Sequence, residues 1–260
     1  MKLNAEGQEV ELAYGMRRGI PVARMEQIQA GLPRSLDLQN LNPSLVNPLV
    51  ALGSEQKKIR AHVRLSQGWH LLNEARSALI ESEACKVFYE ECEPNPVEAI
   101  YRCRFYLDDA ALRLYSSCEH LLRCVTFYWG LSLPKSRDSL LVRVITAAQQ
   151  SSLLQVSGDV ATSLQRLTGD WEECKKYRDD WVHNERPGVD GLDWEVSFKR
   201  WNAVKDIPPA IAQSLKYPAT ASGTSVSVGT GRKIGELRQI VRNAYCELFG
   251  VYERLAPLLV

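Results

Sequence analysis

The sequence has no apolar run near the roughly 20 residues that a bilayer-spanning helix needs, so none of its 260 residues is expected to cross a membrane. It also has no Cys-x-x-Cys pair. Its seven cysteines are scattered and odd in number, which argues against a disulfide framework. Cys118 and Cys174 fall on helical stripes, where a free thiol behaves as a small hydrophobe. Histidine is scarce: His62, His70, His120 and His183 are too dispersed to spell out a metal site, and no pattern calls for a metal or an organic cofactor. Net charge is only +1, so the global basic excess of a nucleic-acid-wrapping protein is missing, although a small local site is not excluded by it. Residues Met1 to Gly7 lack the apolar core of a signal peptide. Together with the free thiols this gives an expectation of a reducing, cytoplasmic setting.

What is present is helical periodicity. Residues 1–53 are the exception: Pro21, Pro33, Pro43 and Pro48 punctuate them, and they read as an irregular, partly strand-like extension. Residues 54–260 read as an all-α helical bundle. A long helix from Ser54 to about Cys92 presents Val63, Trp69, Leu72, Leu79 and Val87, and Pro94-Asn95-Pro96 ends it. Leu107, Ala111, Leu114, Cys118, Leu121, Val125 and Tyr128 then repeat in steps of four and three, a seam for an antiparallel helix. Asp108, Asp109, Arg113, Glu119 and Arg123 flank that seam as a solvated or interface-facing rim, whose best functional role would be a carboxylate partner for Arg178. A shorter helix is expected from about Arg137 to Gln150, and another segment from Trp194 to Lys216 carries Trp194, Phe198 and Trp201 as core or as base-stacking aromatics. Residues 217–231 are small and polar and read as a surface loop, whose Gly229-Thr230-Gly231 offers a weak phosphate-cradle signal. A last helix over about Arg232–Ala256 carries the stripe Ile234, Leu237, Val241, Ala244, Leu248, Val251 and Leu255.

The chain's focal stretch is an expected helix over about Gly158–Asn184. Val160, Leu164, Leu167, Trp171 and Cys174 lie on one face, and the next position on the stripe is Arg178. A guanidinium thus stands where the pattern calls for a hydrophobe, and an unpaired buried charge is costly. Either Arg178 snorkels or pairs structurally, or it serves a polar groove. His183 follows five residues later, about 140° around a regular helix. It is either a dipole-complementing last-turn residue or half of a site. The two side chains converge only where the helix loosens or where a symmetric interface completes the site. Asp179, four residues before His183, shares its face and could orient the imidazole.

Arg178-Asp179-x-x-x-His183 resembles the R-(N/D/H)-x-x-x-H signature of the HEPN superfamily. The stretch from Phe105 to Ala110 and on through Arg113 to His120 is similar to the second core helix of a prokaryotic subgroup of that superfamily. The resemblance covers about residues 60–255. It implies an all-α, up-and-down helical bundle of HEPN type and a homodimer with the motif at the two-fold interface. It also implies a metal-independent RNA endonuclease, with no cofactor, acting as a toxin or defence effector. In that reading His183 is general base or acid and Arg178 stabilises the phosphate in the transition state. Asp179 supports the imidazole, while Asn184 and Arg186 add substrate contacts. A cognate antitoxin or partner protein is a further implication. Glu185 stands where one toxin subgroup carries a tyrosine, so tyrosine modification is not expected here. The alternative is a non-catalytic, dimeric module binding nucleotide, RNA or protein.

Overall fold

The computed structural model describes residues 2–3, 9–11, 20–34, 56–92, 96–167, 169–183 and 233–259, and the structural statements below concern these. The Trp194–Lys216 segment and the 217–231 loop lie outside them, as do Asn184 and Arg186.

Two long antiparallel helices form the spine, α2 (Gln56–Val87) and α3 (Pro96–Trp129). Their seam is apolar at steps of seven: Leu65, Leu72 and Leu79 of α2, with Leu107, Leu114 and Leu121 of α3, are all buried. The α3 stripe is as its spacing predicts, buried from Leu107 to Val125, with Tyr128 half-buried at its end. On α2 the reading needs a correction at Val63, which is exposed; Ala61 and Leu65 are the residues turned inward there. Mixed steps of three and four leave two faces in contention along α2, and packing against α3 selects the one carrying the small Ala61, Gly68 and Ala75.

Helix α7 (Ile234–Leu255) lies across this pair. Its stripe from Leu237 to Leu255 is buried, as the periodicity predicts. Tyr252 fixes the three-helix junction. Its hydroxyl donates to the Ser117 carbonyl at 3.0 Å and lies 3.1 Å from Ser117 Oγ, which donates to the Gly68 carbonyl at 2.7 Å. A Cβ on Gly68 would sit 2.2 Å from the Tyr252 hydroxyl oxygen, so the junction closes only around glycine.

Helix α4 (Leu140–Gln149) is shorter than expected. Ser139, rather than a residue near Ser136, caps it by accepting from the Val142 amide at 3.4 Å. The focal stretch is not one helix. A π-turn over Val156–Val160 leads into α5 (Ala161–Leu164), and Gly169 adopts φ +54° before α6 (Asp170–His183) begins. A positive φ suits glycine and breaks helical continuity. The stripe survives the break, since Val160, Leu164, Leu167, Trp171 and Cys174 are all buried.

The described part of the N-terminal extension is strand-like, as one side of the reading expects, and adds a short helix that it does not. β1 (Lys2–Leu3), β2 (Glu9–Glu11) and β3 (Ile20–Pro21) form an antiparallel meander, with Lys2 opposite Val10 and Glu11 opposite Ile20. α1 (Val22–Ala30) follows and buries Met25. Its C-terminal carbonyls are met from the body: Arg76 Nε donates to Pro33 O at 2.7 Å and Nη2 to Gln29 O at 3.3 Å, and Arg242 donates to Gly31 O. No helix among the described residues is long and apolar enough to cross a membrane.

Candidate functional site at the C-terminal end of helix α6

The partners of α7 set the start of α6. Glu247 Oε2 accepts from the Trp171 amide at 3.3 Å, and Asn243 Nδ2 donates to Asp170 Oδ2 at 2.8 Å. A carboxylate from the neighbouring helix thus meets an amide that α6 cannot satisfy itself, next to the positive end of its dipole. From there α6 runs antiparallel to α3: Trp171 and Lys175 border a crevice with Cys118 and Leu122, Arg178 meets Tyr115, and Tyr177 meets Asp108.

Arg178 has a side chain 19% exposed, as its place on the stripe predicts. Its guanidinium carbon lies 3.9 Å from the Tyr115 ring centroid, a cation–π contact. Nη1 donates to Asp179 Oδ1 at 2.9 Å. Nε is buried without a hydrogen-bond partner among the described residues, as is Trp181 Nε1 one turn further on. Burial pushes the Tyr115 hydroxyl up in pKa, with Glu119 adding to it.

His183 is exposed in the last turn of α6. α6 is regular α-helix through this residue, so the two side chains point about 140° apart within one chain. The structure brings Arg178 to Asp179 and Tyr115. Among the described residues His183 bonds to neither Arg178 nor Asp179. The crevice beside Tyr115 measures about 30 Å³, room for one water, so any larger ligand lies on the surface. A larger cavity of about 260 Å³, bordered by Arg24, Lys86, Arg238 and Arg242, contains none of the motif residues.

Sequence reasoning missed the buried polar group under the site. Asp108 is not part of a solvated rim: it is 5% exposed and accepts a hydrogen bond from the Tyr177 hydroxyl. Arg104, 1% exposed, lies 4.0 Å from Asp108 one turn earlier on α3. Burial and the Asp108 carboxylate both push the Tyr177 hydroxyl well above the ordinary tyrosine range, so it stays protonated and donating. The other rim residues are placed as expected: Arg113 pairs at the surface with Asp109 at 2.8 Å and with Glu74. A usable signal existed, since Arg104 and Asp108 are spaced i, i+4 on the same side of α3 as the seam residues Leu107 and Ala111.

Burial raises the thiol pKa values of Cys118, Cys124 and Cys174, which makes them inert core residues rather than nucleophiles. Among the described residues no group of three His, Cys, Asp or Glu side chains is placed to hold a metal ion. Comparison of the chain with protein-family models, curated proteins and solved structures found no match.

Proposed function

We propose that the chain is a HEPN-like, metal-independent RNA endonuclease that works as a homodimer. The observation that carries this reading is a half-buried arginine, Arg178, clamped on an aromatic ring at the end of a helix whose last turn presents an exposed histidine, His183. In the reaction the RNA 2′-hydroxyl attacks the adjacent phosphorus. The 2′-O–P bond forms and the P–5′-O bond breaks. His183 accepts the 2′-hydroxyl proton, and a second proton reaches the leaving 5′-oxygen from an imidazolium or water. Arg178 donates to the non-bridging oxygens as negative charge builds on them. The products are a 2′,3′-cyclic phosphate and a 5′-hydroxyl. Because Arg178 and His183 diverge on one helix, this reading joins Arg178 of one protomer with His183 of the other across a two-fold axis. Asn184 and Arg186, which follow His183 in the sequence, are the proposed substrate contacts. A toxin or defence role, with a cognate antitoxin or partner protein, fits this activity.

The test is cleavage of mixed cellular RNA with EDTA present. Wild type is expected to leave cyclic-phosphate ends, and folded His183→Ala and Arg178→Ala are expected to leave none. EDTA-sensitive cleavage, or full activity in His183→Ala, overturns the reading.

A second reading is a non-catalytic dimeric binding module. It is favoured by the internal engagement of Arg178 with Asp179 and Tyr115, the arrangement of an arginine that shapes a surface. It expects no cleavage, and weaker dimerisation or RNA binding in Arg178→Ala, measured by sedimentation and by titration with labelled RNA.

A further inference from the structure

The α2–α3 hairpin is segregated by charge along its length. From Gln56 to Asn73 the sequence contains Lys57, Lys58, Arg60 and Arg64 but no Asp or Glu. From His120 to Arg137 it contains Arg123, Lys135 and Arg137, again with no Asp or Glu. Antiparallel packing brings the two stretches to the same end of the hairpin. Arg64 Nη1 lies 3.4 Å from His120 Nδ1, and Lys58 Nζ lies 5.7 Å from the Tyr128 ring centroid.

Elsewhere several arginines are matched by carboxylates. Arg102 pairs with Glu98, Arg113 with Asp109 and Glu74, Arg238 with Glu83, and Arg24 with Glu91. By contrast, Lys58, Arg60, Arg64, Arg123, Lys135 and Arg137 make no ion pair with a carboxylate among the described residues. All six are exposed or half-exposed. The field they set up is felt locally: after burial, Lys58 is the next cause lowering the His62 pKa, and Arg64 and Arg123 are the next causes for His120. A net charge of +1 conceals this surplus because acidic residues elsewhere balance it.

We propose that this end of the hairpin is a docking surface for the sugar–phosphate backbone of single-stranded RNA. The choice of RNA rests on the ribonuclease reading above; the anionic character of the ligand does not. Lys58, Arg60, Arg64 and Arg123 at this end of the two helices, with Lys135 and Arg137 in the segment that follows α3, suit a charged backbone. Half-buried Trp69, Tyr128 and Trp129 lie among them and supply ring faces for bases. A bilayer surface fits less well, because Val63 is the only large apolar side chain strongly exposed in these two stretches among the described residues. Arg123 lies eight residues beyond Tyr115 on α3, about 12 Å along the axis, so a strand held here extends toward Arg178.

The experiment is fluorescence anisotropy of a labelled poly(U) strand of about 20 nucleotides, on the full chain in EDTA, carrying His183→Ala to prevent cleavage. Adding Arg60→Glu and Arg123→Glu is expected to weaken binding at least about 10-fold and to lower the slope of log affinity against log salt by about 1.4, for two lost single-strand phosphate contacts. Adding Arg166→Glu and Arg254→Glu instead, the same charge change at exposed positions elsewhere, is expected to change binding less than about 2-fold. The milder pair Lys58→Ala and Arg123→Ala guards against misfolding, with melting curves as the check. Equal weakening by the two charge-reversed pairs, no RNA binding at all, or binding only to phosphatidylserine vesicles overturns the proposal. If wild type cleaves nothing but the hairpin variants still lose RNA selectively, the ribonuclease reading fails and this surface stands.

Discussion

The Arg178 guanidinium is stacked 3.9 Å above the Tyr115 ring centroid, so the residue that carries the motif on α6 is held by an aromatic side chain on α3. The ring contributes about 1–2 kcal/mol where the cation is partly desolvated, and it keeps the planar fork of donors in one orientation. On the proposed ribonuclease reading, Tyr115→Ala is therefore expected to cut RNA cleavage about 10-fold, the rate equivalent of about 1.4 kcal/mol, with the fold retained. Tyr115→Phe keeps the ring and is expected to cleave at nearly the wild-type rate. Arg178→Lys keeps the charge but loses the fork, and should fall about 100-fold. Initial rates in EDTA check all three, and a Tyr115→Ala rate equal to wild type would separate the stack from function.

Asp108 links the two helices below the site. It lies 4.0 Å from Arg104 and accepts from the Tyr177 hydroxyl. Removing one member of a buried ion pair leaves the other charge uncompensated, at about 3–5 kcal/mol. Asp108→Ala is expected to lose that much in urea unfolding. Tyr177→Phe, which removes one hydrogen bond to a charged acceptor, should lose about 1.5–3 kcal/mol. A loss below about 1 kcal/mol for Asp108→Ala would mean that solvent or other groups take over the carboxylate's role.

These residues show where the sequence was legible. The seam of α3 and the stripe of α7 were readable because unbroken heptad spacing has one packing solution: every stripe residue from Leu107 to Val125 and from Leu237 to Leu255 is buried. Arg178 was readable as an anomaly for the same reason. The break at Gly169 was not, because the stripe from Val160 to Cys174 keeps phase across it and a lone glycine inside a helical pattern is ambiguous. Asp108 was misread because a carboxylate beside a seam is solvated unless another helix covers it, and the covering residue, Tyr177, lies 69 positions away in the chain. Val63 failed for the related reason that α2 has two plausible apolar faces. The cation ridge at the hairpin end is hidden in a whole-chain charge near zero.

The junction of α2, α3 and α7 gives a test that is independent of function. A methyl group on Gly68 meets the Tyr252 hydroxyl at 2.2 Å, His120 Cβ at 3.0 Å and the Ser117 carbonyl at 3.1 Å. Overpacking of this kind costs about 1–3 kcal/mol, and here it also displaces the hydroxyl from Ser117. Gly68→Ala is expected to be destabilised by about 2–4 kcal/mol. Adding Tyr252→Phe removes the closest clashing atom, so the double variant should recover part of the loss, a coupling of about 1 kcal/mol or more in a double-mutant cycle. Strict additivity would show that the clash is relieved by helix movement and not by the hydroxyl.

The hairpin end also sets a pH dependence whose sign can be worked out. His62 is buried with its ring edge-on to Tyr128 at 6.4 Å, and burial followed by Lys58 lowers its pKa below the ordinary 6.5. The folded state therefore holds the imidazole neutral at a pH where the unfolded chain takes up a proton. Stability is unaffected by this group well above 6.5, falls as pH drops below 6.5, and stops falling once pH is below the folded-state pKa. His120 acts in the same direction, through burial, Arg64 and Arg123. The melting temperature is expected to fall between about pH 7 and about pH 5, less steeply in His62→Gln and less steeply again when His120→Gln is added. Carboxylates contribute equally to all three proteins, so the difference between their slopes isolates the histidines. Bound RNA on the neighbouring cations would favour the protonated imidazoles and flatten the wild-type slope, whereas a slope that RNA leaves unchanged would place the ligand away from this end of the hairpin.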